Sequence, residues 1–306
     1  MRLKRRMRIE IEPLDKKFNF KLTAAAYSFS WNYDGKHYRT IIKYSDRNIG
    51  VVAWEENHKI IVEVYSNENY LSKEDVEHEI RNHLGTDENL EEFYKLCRGD
   101  PLLKDVIEGI HSRKVDIWYA SIIAVAQQNA SFRQGWKMIW NLLSRYGERF
   151  LLEGLEVELK YPPNPRLILE RGEQVLKDSG YGYRSRTLME IAKILIENGE
   201  DFLKKNLTKI RGVGKYTYGL IMMLAYRDYT NPVIDRWVKG LYETVGVTNV
   251  EEYYRKHWGR YQALATWMLT IMLDAAPLSK AIERVRRGDL KPSFSGITPL
   301  TLWRYY

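Results

Sequence analysis

Short runs of aromatic and β-branched residues, separated by turn signals such as Asp34-Gly35, characterise residues 16–65. Runs of this length and composition, bounded by such turns, are typical of the strands of an antiparallel sheet. Four runs have this character: FNFKLTAAAYSFSW, KHYRTIIKY, NIGVVAWEE and HKIIVEVYS.

A helix is predicted directly after these runs, over residues 71–84. Ser72 can cap its first turn, and Asp75, three residues later, can complete a capping box. The N-terminal region, residues 1–87, is therefore expected to be an α+β domain.

From about residue 88 the apolar positions recur with a helical period. The prolines of YPPNPRL, residues 161–167, predict a loop because proline removes a backbone donor, and the chain after Pro277 shows no clear pattern. The predicted helices are ENLEEFYKLC, PLLKDVIEGI, DIWYASIIAVAQQ, SFRQGWKMIWNLLSRYG, RSRTLMEIAKILIENG, EDFLKKNLTKI, KYTYGLIMMLAY, RWVKGLYETVG and GRYQALATWMLTIMLDAA. The fold class is thus α+β, with a helical region over residues 88–306.

Composition narrows the classes of protein that fit. The 306 residues are 44% hydrophobic and 29% charged, and no apolar run approaches the roughly 20 residues that span a bilayer. The N-terminal MRLKRRMRIEIE lacks the apolar core of a signal peptide, so we expect an intracellular protein, cytoplasmic and nucleoid-associated or nuclear. A single cysteine, Cys97, and scattered histidines give no ligand spacing, so no metal is expected.

Charge favours an anionic partner. The formal net charge is +8, and a cationic face attracts phosphates. The 9 Trp and 22 Tyr residues are compatible with base stacking, although most aromatic side chains belong to the core.

The segment 210–214, Ile-Arg-Gly-Val-Gly, predicts a short turn between two helices. Gly212 and Gly214 allow positive φ and leave the amide groups open, so the second helix's N-terminus can approach a phosphate. Val213 is expected to pack inward. An ordinary interhelical turn is the alternative.

Lys215 and Thr217 lie in the first turn of that second helix. A cation and a hydroxyl at these positions can contact the same phosphate. Together with the turn they predict a helix-hairpin-helix that binds a nucleic-acid backbone.

Asp235 follows Asn-Pro-Val-Ile, and Pro232 disfavours helix at Asn231. The helix RWVKGLYETVG is therefore expected to begin at or just after Asp235, which makes this residue a candidate N-cap. A helix N-terminus also stabilises an ionised carboxylate, which can oppose positive charge that develops on a substrate.

These segments resemble the helix-hairpin-helix superfamily of base-excision DNA glycosylases, whose signature combines the hairpin (LTKIRGVGKYT), a loop with Gly or Pro (DYTNPVID) and an aspartate, here Asp235. SIIAVAQQNASFRQGWKMIWNLLSRYGERF resembles the family's helix, wedge loop and helix. GYGYRSRTLMEIA and YSFSW are similar to 8-oxoguanine DNA glycosylase, whereas YGERF, YPPNPRL and WGRYQALATWM are similar to 3-methyladenine DNA glycosylase II.

The resemblance implies a monomeric base-excision-repair enzyme that flips a damaged purine out of double-stranded DNA and breaks its N-glycosidic bond with Asp235. It also implies two helical subdomains with the active-site cleft between them. Bifunctional oxoguanine enzymes carry a lysine two positions after the second hairpin glycine, where this chain has Tyr216. A monofunctional glycosylase is therefore expected, with Lys215 a phosphate contact. No cofactor is expected beyond a possible monovalent cation at the hairpin.

The resemblance places Asn129 at the tip of the wedge loop, beside Gln128 and Ala130, where it would fill the gap left by a flipped base. A polar helix C-terminus is the alternative. Gln127 and Gln128 can hydrogen-bond a base edge or cap the loop.

A flipped base needs aromatic walls, and the candidates are Tyr216, Trp237, Tyr27, Phe29 and Trp31, each of which can equally be a core residue. An alkylated purine would stack on such walls, whereas an oxidised guanine needs an acceptor, which a backbone carbonyl near Ala26 can supply.

Three functions remain open. The first is a monofunctional glycosylase for alkylated or deaminated purines. The second is an 8-oxoguanine glycosylase with lyase activity, and the third is a non-catalytic DNA-binding module.

Overall fold

A single curved sheet of six strands has the order β2-β3-β4-β1-β5-β6 in the computed structural model, which describes residues 1–44 and 47–306. Neighbouring strands are antiparallel except β1 and β5, which run parallel with Arg2 opposite Leu151. The strands are β1 (Arg2–Ile11), β2 (Tyr38–Tyr44), β3 (Arg47–Glu56), β4 (Lys59–Ser66), β5 (Glu148–Leu152) and β6 (Glu158–Tyr161).

Three of the four predicted strand runs are strands, but the first one is not. Residues Phe20–Ala25 form helix α1, because the Asn19 side chain accepts a hydrogen bond from Leu22 N at 3.0 Å and an alanine-rich sequence favours helix. The segment 27–31 is irregular.

Strand β1 lies in the basic N-terminal segment, for which no strand or helix was predicted. Its buried positions Leu3, Ile9 and Ile11 are separated by exposed charged residues, so the alternation typical of a half-buried strand was present. Strands β5 and β6 lie in the region expected to be helical, and they add a short hairpin to the sheet.

Thirteen further α-helices follow α1 in the described ranges. Val250–Tyr253 continues into a π-helical turn at Tyr254–Trp258. The helices are α2 (Lys73–Leu84), α3 (Glu91–Arg98), α4 (Ile117–Gln127), α5 (Phe132–Tyr146), α6 (Pro165–Arg171), α7 (Gln174–Asp178), α8 (Ser185–Asn198), α9 (Glu200–Asn206), α10 (Lys215–Tyr226), α11 (Arg236–Thr244), α12 (Val250–Tyr253), α13 (Gln262–Met272) and α14 (Leu278–Arg286).

The helix predicted over residues 101–110 is absent, and turns occupy the segment. The buried Asp100 carboxylate accepts hydrogen bonds from Leu102 N and Leu103 N, at 2.8 and 2.9 Å, and from the hydroxyls of Tyr242 and Tyr253. These bonds hold the chain in a turn instead of a helix.

One further expectation was partly wrong, and one segment carried no prediction. The loop predicted at residues 161–167 is short, because Asn164 caps α6 and Pro165 occupies its first turn, where proline is tolerated. The tail after Pro277 is ordered: it forms α14, and its last ten residues return to the segment 27–33.

Two hydrophobic clusters form the core. The smaller packs the sheet against α1 and α2, and the larger joins residues of the N-terminal region, such as Phe29 and Val52, with most of the helices. The domain boundary at residue 87 stays a prediction, while both the sheet and the larger cluster include residues from either side of it. No helix in the described ranges is long and apolar enough to cross a membrane.

Candidate active site

The predicted hairpin joins α9 to α10, and its two glycines have different roles. Gly212 adopts φ +92°, and a Cβ atom there would lie 2.2 Å from Thr187 Oγ1. Gly214 has φ −87°, and a Cβ atom there would meet nothing within 4 Å. Gly212 is therefore needed by the fold, whereas Gly214 leaves open the surface at the N-terminus of α10. Val213 is buried, as expected.

Gln128 ties the wedge loop to the hairpin. It ends α4, and its Nε2 donates to Gly212 O at 2.7 Å and to Thr217 Oγ1 at 2.6 Å. Thr217 is 2% exposed, so the expectation that its hydroxyl contacts a phosphate is wrong: the helical period turns this residue inward. The capping alternative for Gln128 describes its role.

Arg184 fixes the same loop from the other side. Its Nε donates to Gln128 O at 2.9 Å, and its Nη2 donates to Asn129 O at 3.2 Å. Asn129 is exposed and has φ +44°, so its side chain stands at the tip of the loop. This placement is compatible with a wedge. No local pattern indicated the arginine 55 residues away that supports it.

Lys215 is exposed in the first turn of α10 and makes no ion pair in the described part of the chain. The hairpin's carbonyl oxygens at Ile210 and Gly212 already accept hydrogen bonds from Val213 N and Gln128. The monovalent cation stays a prediction. Among residues 1–44 and 47–306 no group of three or more His, Cys, Asp or Glu side chains is placed to hold a metal ion.

Asp235 is the N-cap of α11, as the sequence predicted. Its Oδ1 accepts a hydrogen bond from Val238 N at 2.9 Å. The carboxylate is reached by solvent from a large cleft, yet protein atoms surround it on the other sides. Desolvation by these atoms raises the pKa of Asp235, against the lowering effect of the helix N–H groups.

Gly219 brings the Asp235 loop against α10. A Cβ atom at Gly219 would lie 3.0 Å from Asn231 O and 3.2 Å from Pro232 O, so the loop packs directly on the helix backbone. Tyr216, one turn earlier on α10, lines the same cleft, and burial together with the nearby Asp235 charge raises the pKa of its hydroxyl. The site therefore places Tyr216 beside the carboxylate.

Aromatic side chains form a wall of the cleft around Tyr27. Its ring centroid lies 5.5 Å from that of Trp136, 5.7 Å from that of Trp267 and 6.1 Å from that of Phe132. Trp237 lines the cleft too, and its Nε1 donates to Ala276 O at 2.8 Å. Trp136, Trp267 and Phe132 were not predicted, because aromatic residues at helical spacing are usually core.

Phe29 and Trp31 do not line the cleft, so their assignment to a base pocket is wrong. They stack on each other with centroids 4.6 Å apart and are 1% and 6% exposed. Phe29 packs edge-on against Trp136 from behind. Because α1 replaces the predicted strand, only Tyr27 of this segment faces the cleft.

Tyr27 has φ +53°, which is costly for a bulky residue. Its N–H donates to Pro299 O at 2.7 Å, and Ser30 N donates to Tyr306 O at 2.6 Å. The C-terminal segment thus holds the corner that presents the Tyr27 ring.

The Ala26 carbonyl is already engaged. Arg113 Nη2 donates to Ala26 O, and the guanidinium lies 4.5 Å from the centroid of the Tyr38 ring. A charge-assisted donor therefore occupies the acceptor that was considered for an oxidised guanine.

These groups surround one cleft of about 1200 Å³, lined among others by Asp235, Tyr216, Trp237, Tyr27 and Gln127. The Gln127 amide nitrogen is buried without a hydrogen-bond partner in the described ranges. The cleft combines a carboxylate with flat apolar walls, which suits a planar ligand.

Three solved structures with a similar fold are DNA glycosylases. The 3-methyladenine DNA glycosylase of Archaeoglobus fulgidus superimposes with a TM-score of 0.64 at 23% identity, over 86% of this chain and 96% of that one. The apo 8-oxoguanine glycosylase/lyase of Clostridium acetobutylicum superimposes with a TM-score of 0.65 at 17% identity, over 88% of this chain and 98% of that one. MBOgg1, solved with a low-affinity DNA ligand, superimposes with a TM-score of 0.68 at 19% identity, over 94% of this chain and 100% of that one.

No protein-family model and no curated protein sequence matches the chain. The structural similarity covers nearly all of both chains in each of the three comparisons. The chain therefore has the fold that 3-methyladenine and 8-oxoguanine DNA glycosylases share.

Proposed function

We propose that the protein is a DNA glycosylase that removes a damaged purine from double-stranded DNA by hydrolysis. The observation that carries the proposal is the position of Asp235, at the N-terminus of α11 and open to an aromatic-walled cleft. A DNA-binding module without catalysis has no use for a carboxylate that faces such a cleft.

Breaking an N-glycosidic bond builds positive charge on the deoxyribose ring. A fixed carboxylate beside C1′ stabilises that charge and can orient or deprotonate the attacking water. Asp235 has both properties required: its helix N–H bonds fix its direction, and the water it needs can enter from the cleft.

We propose that the enzyme is monofunctional. A lyase needs an amine that attacks the sugar and forms a Schiff base. Tyr216 occupies the hairpin position next to Asp235, and Lys215 is exposed in the first turn, where it suits a phosphate contact.

Two observations favour an alkylated or deaminated purine over an oxidised guanine. The Ala26 carbonyl already accepts from Arg113, so only one of its two lone pairs remains for an extra base N–H. The walls formed by Tyr27, Trp136 and Trp237 are flat and apolar, and they stack well on an electron-poor ring.

DNA binding would place one phosphate over the open backbone at Gly214 and near Lys215. Asn129, at the tip of a loop anchored by Arg184 and Gln128, would enter the space that the flipped base leaves. The protein would act as a monomer on the duplex.

Asp235→Asn tests the proposal. The amide can still accept the Val238 N–H bond, so we expect an intact fold and unchanged binding to lesion duplexes. Base release from oligonucleotides with different purine lesions should fall by at least about 100-fold in single-turnover assays, since general acid–base groups contribute 10²–10⁴-fold. An Asn variant with the wild-type rate would contradict the assignment of Asp235 as the catalytic residue.

Borohydride trapping separates the hydrolytic enzyme from a lyase, because only a Schiff base is captured as a covalent complex. We expect base release without a trapped complex. A trapped complex that persists in Lys215→Arg would point to another lysine and contradict the assignment based on Tyr216.

A further inference from the structure

The cleft does not end at the base pocket but continues along the groove between α4 and α10. The two helices are antiparallel: Gln128 Nε2 binds Thr217 Oγ1 at one end, at 2.6 Å, and Val115 N binds Leu224 O at the other, at 2.9 Å. The base pocket lies at the first of these ends, where α4 finishes and α10 begins.

Regularly spaced side chains line this groove. Residues four apart on each helix share a face, and the cleft is lined by Gln127, Ile123 and Tyr119 of α4 and by Tyr216, Leu220 and Leu224 of α10. Eight residues at 1.5 Å each place the far end about 12 Å from the base pocket.

The volume exceeds what a purine needs. The whole cleft, which includes a part along residues 274–298 as well as the groove, measures about 1200 Å³, whereas pockets that bury drug-sized ligands span roughly 300 to 1,000 Å³. A purine is smaller than such ligands, so a flipped base stacked at Tyr27 and Trp237 leaves the groove behind it empty.

The groove changes character along its length. Its middle, at Ile123 and Leu220, is apolar. At its far end Ser112 is fully buried, and its hydroxyl has no hydrogen-bond partner in the described part of the chain. Arg113, the next residue, lines the cleft too, and its guanidinium lies on the Tyr38 ring and donates to Ala26 O. An unpaired buried hydroxyl is costly unless a ligand supplies its partner.

The far end also reaches solvent, because the exposed residues Lys43 and Glu200 line it. A group that extends along the groove is therefore not confined by its length.

We propose that the groove between α4 and α10 receives a substituent carried by the damaged base, so that the substrates include purines with long alkyl or aryl groups. This inference rests on the proposed glycosylase function and extends it to a substrate class. The purine stacks between the aromatic walls beside Asp235, the apolar part of the substituent packs on Ile123, Leu220 and Leu224, and a polar terminus meets Ser112 and Arg113.

The test compares lesions of increasing length in two series of duplexes, N7-alkylguanine and N3-alkyladenine, each with methyl, butyl and hexyl groups. The wild-type protein should release the hexyl base of at least one series at a rate within about tenfold of the methyl base. Leu224→Trp fills the far half of the groove. It should slow release of that hexyl base by at least about tenfold, since misfit in an apolar pocket is worth 10–200-fold.

The methyl lesion is the internal control, and Leu224→Trp should leave its rate within about twofold of wild type. Ile196→Trp adds the same ring at an exposed position outside the cleft and should change neither rate. If Leu224→Trp does not fold, as judged by its melting temperature, Leu224→Phe replaces it.

The inference is overturned if the wild-type protein rejects the hexyl base in both series, or if the filled groove slows the methyl and hexyl lesions equally. Failure to release any base, methyl included, would instead overturn the glycosylase proposal itself.

Discussion

Asp235 has to satisfy two requirements that oppose each other. As an N-cap it accepts the Val238 N–H bond and stabilises α11, and as a carboxylate in a walled cleft it is desolvated. The second effect raises its pKa, so the folded protein binds the proton more tightly than the unfolded chain does. The site therefore keeps its charge at a cost in stability.

The raised pKa of Asp235 should be visible in the pH dependence of base release. In the proposed mechanism base release requires the ionised carboxylate, so the rate should fall as the pH drops through the raised pKa of Asp235. This acid limb should lie above the value of about 3.9 of an ordinary aspartate. Single-turnover rates between pH 4 and 8 measure it, and a rate that stays constant down to pH 4 would contradict the shift.

The free energy of unfolding should fall as the pH rises, whereas the rate of base release should rise. Because the folded-state pKa is raised, ionisation destabilises the fold as pH rises through the window between the unfolded and folded values. Asp235→Asn keeps the cap, and we expect it to melt above the wild type at pH 7 and equal to it well below that window. Asp235→Ala, which loses the cap, should be about 1 kcal/mol less stable than Asp235→Asn. Thermal melts at both pH values compare the three proteins.

The two glycines of the hairpin are needed for different reasons, although they lie only two positions apart. Gly212 is in a left-handed conformation against Thr187, whereas Gly214 has an ordinary φ and open space above it. Gly212→Ala should lose about 1 to 2 kcal/mol from backbone strain alone.

Gly214→Ala is its matched control for stability and the test of the phosphate site. It should melt like the wild type and bind duplex DNA more weakly, because its methyl group would cover the amides at the start of α10. Denaturation curves and duplex titrations at one fixed salt concentration measure the two effects. If both variants are equally stable, the fold does not require a glycine at position 212.

The elements that bear the site were predictable to different degrees. The periodicity of α4, α5 and α10, the cap at Asp235 and the inward position of Val213 all follow from local sequence. Thr217 was misassigned although it shares the inward helical face with Ile221 and Leu224, so the signal was available.

The remaining features depend on residues far apart in the chain, which local patterns do not reveal. Arg113 reaches Ala26 across 87 positions, and Arg184 reaches Asn129 across 55. The absent helix at residues 101–110 likewise depends on the contact of Asp100 with Tyr242. Local periodicity predicted the scaffold, and contacts of this kind decide which side chains enter the cleft.

The C-terminal segment supports the wall of the candidate site. Pro299 and Tyr306 accept hydrogen bonds from the segment that presents Tyr27, and Leu302 is fully buried beneath them. The pocket therefore depends on residues nearly 300 positions apart in the sequence.

Leu302→Ala should lower the free energy of unfolding by about 2 to 5 kcal/mol, since it leaves a cavity under the tail. It should also slow base release, because Tyr27 loses its support. Tyr305→Ala, at an exposed neighbour, is the control and should change neither property. Denaturant unfolding and single-turnover assays at 25 °C measure both properties. If Leu302→Ala is destabilised but releases the base at the wild-type rate, the tail does not support the pocket.

The parallel pairing of β1 with β5 has a consequence for how the chain folds. β1 meets its antiparallel partner β4 about 60 residues later, but Leu3 meets Leu152 only after 149 more residues have been added. Contacts of such long sequence separation close large loops and slow folding. During synthesis Arg2 and Leu3 therefore lack their β5 partners until half of the protein has been made, which leaves this end of β1 open to other chains for that period.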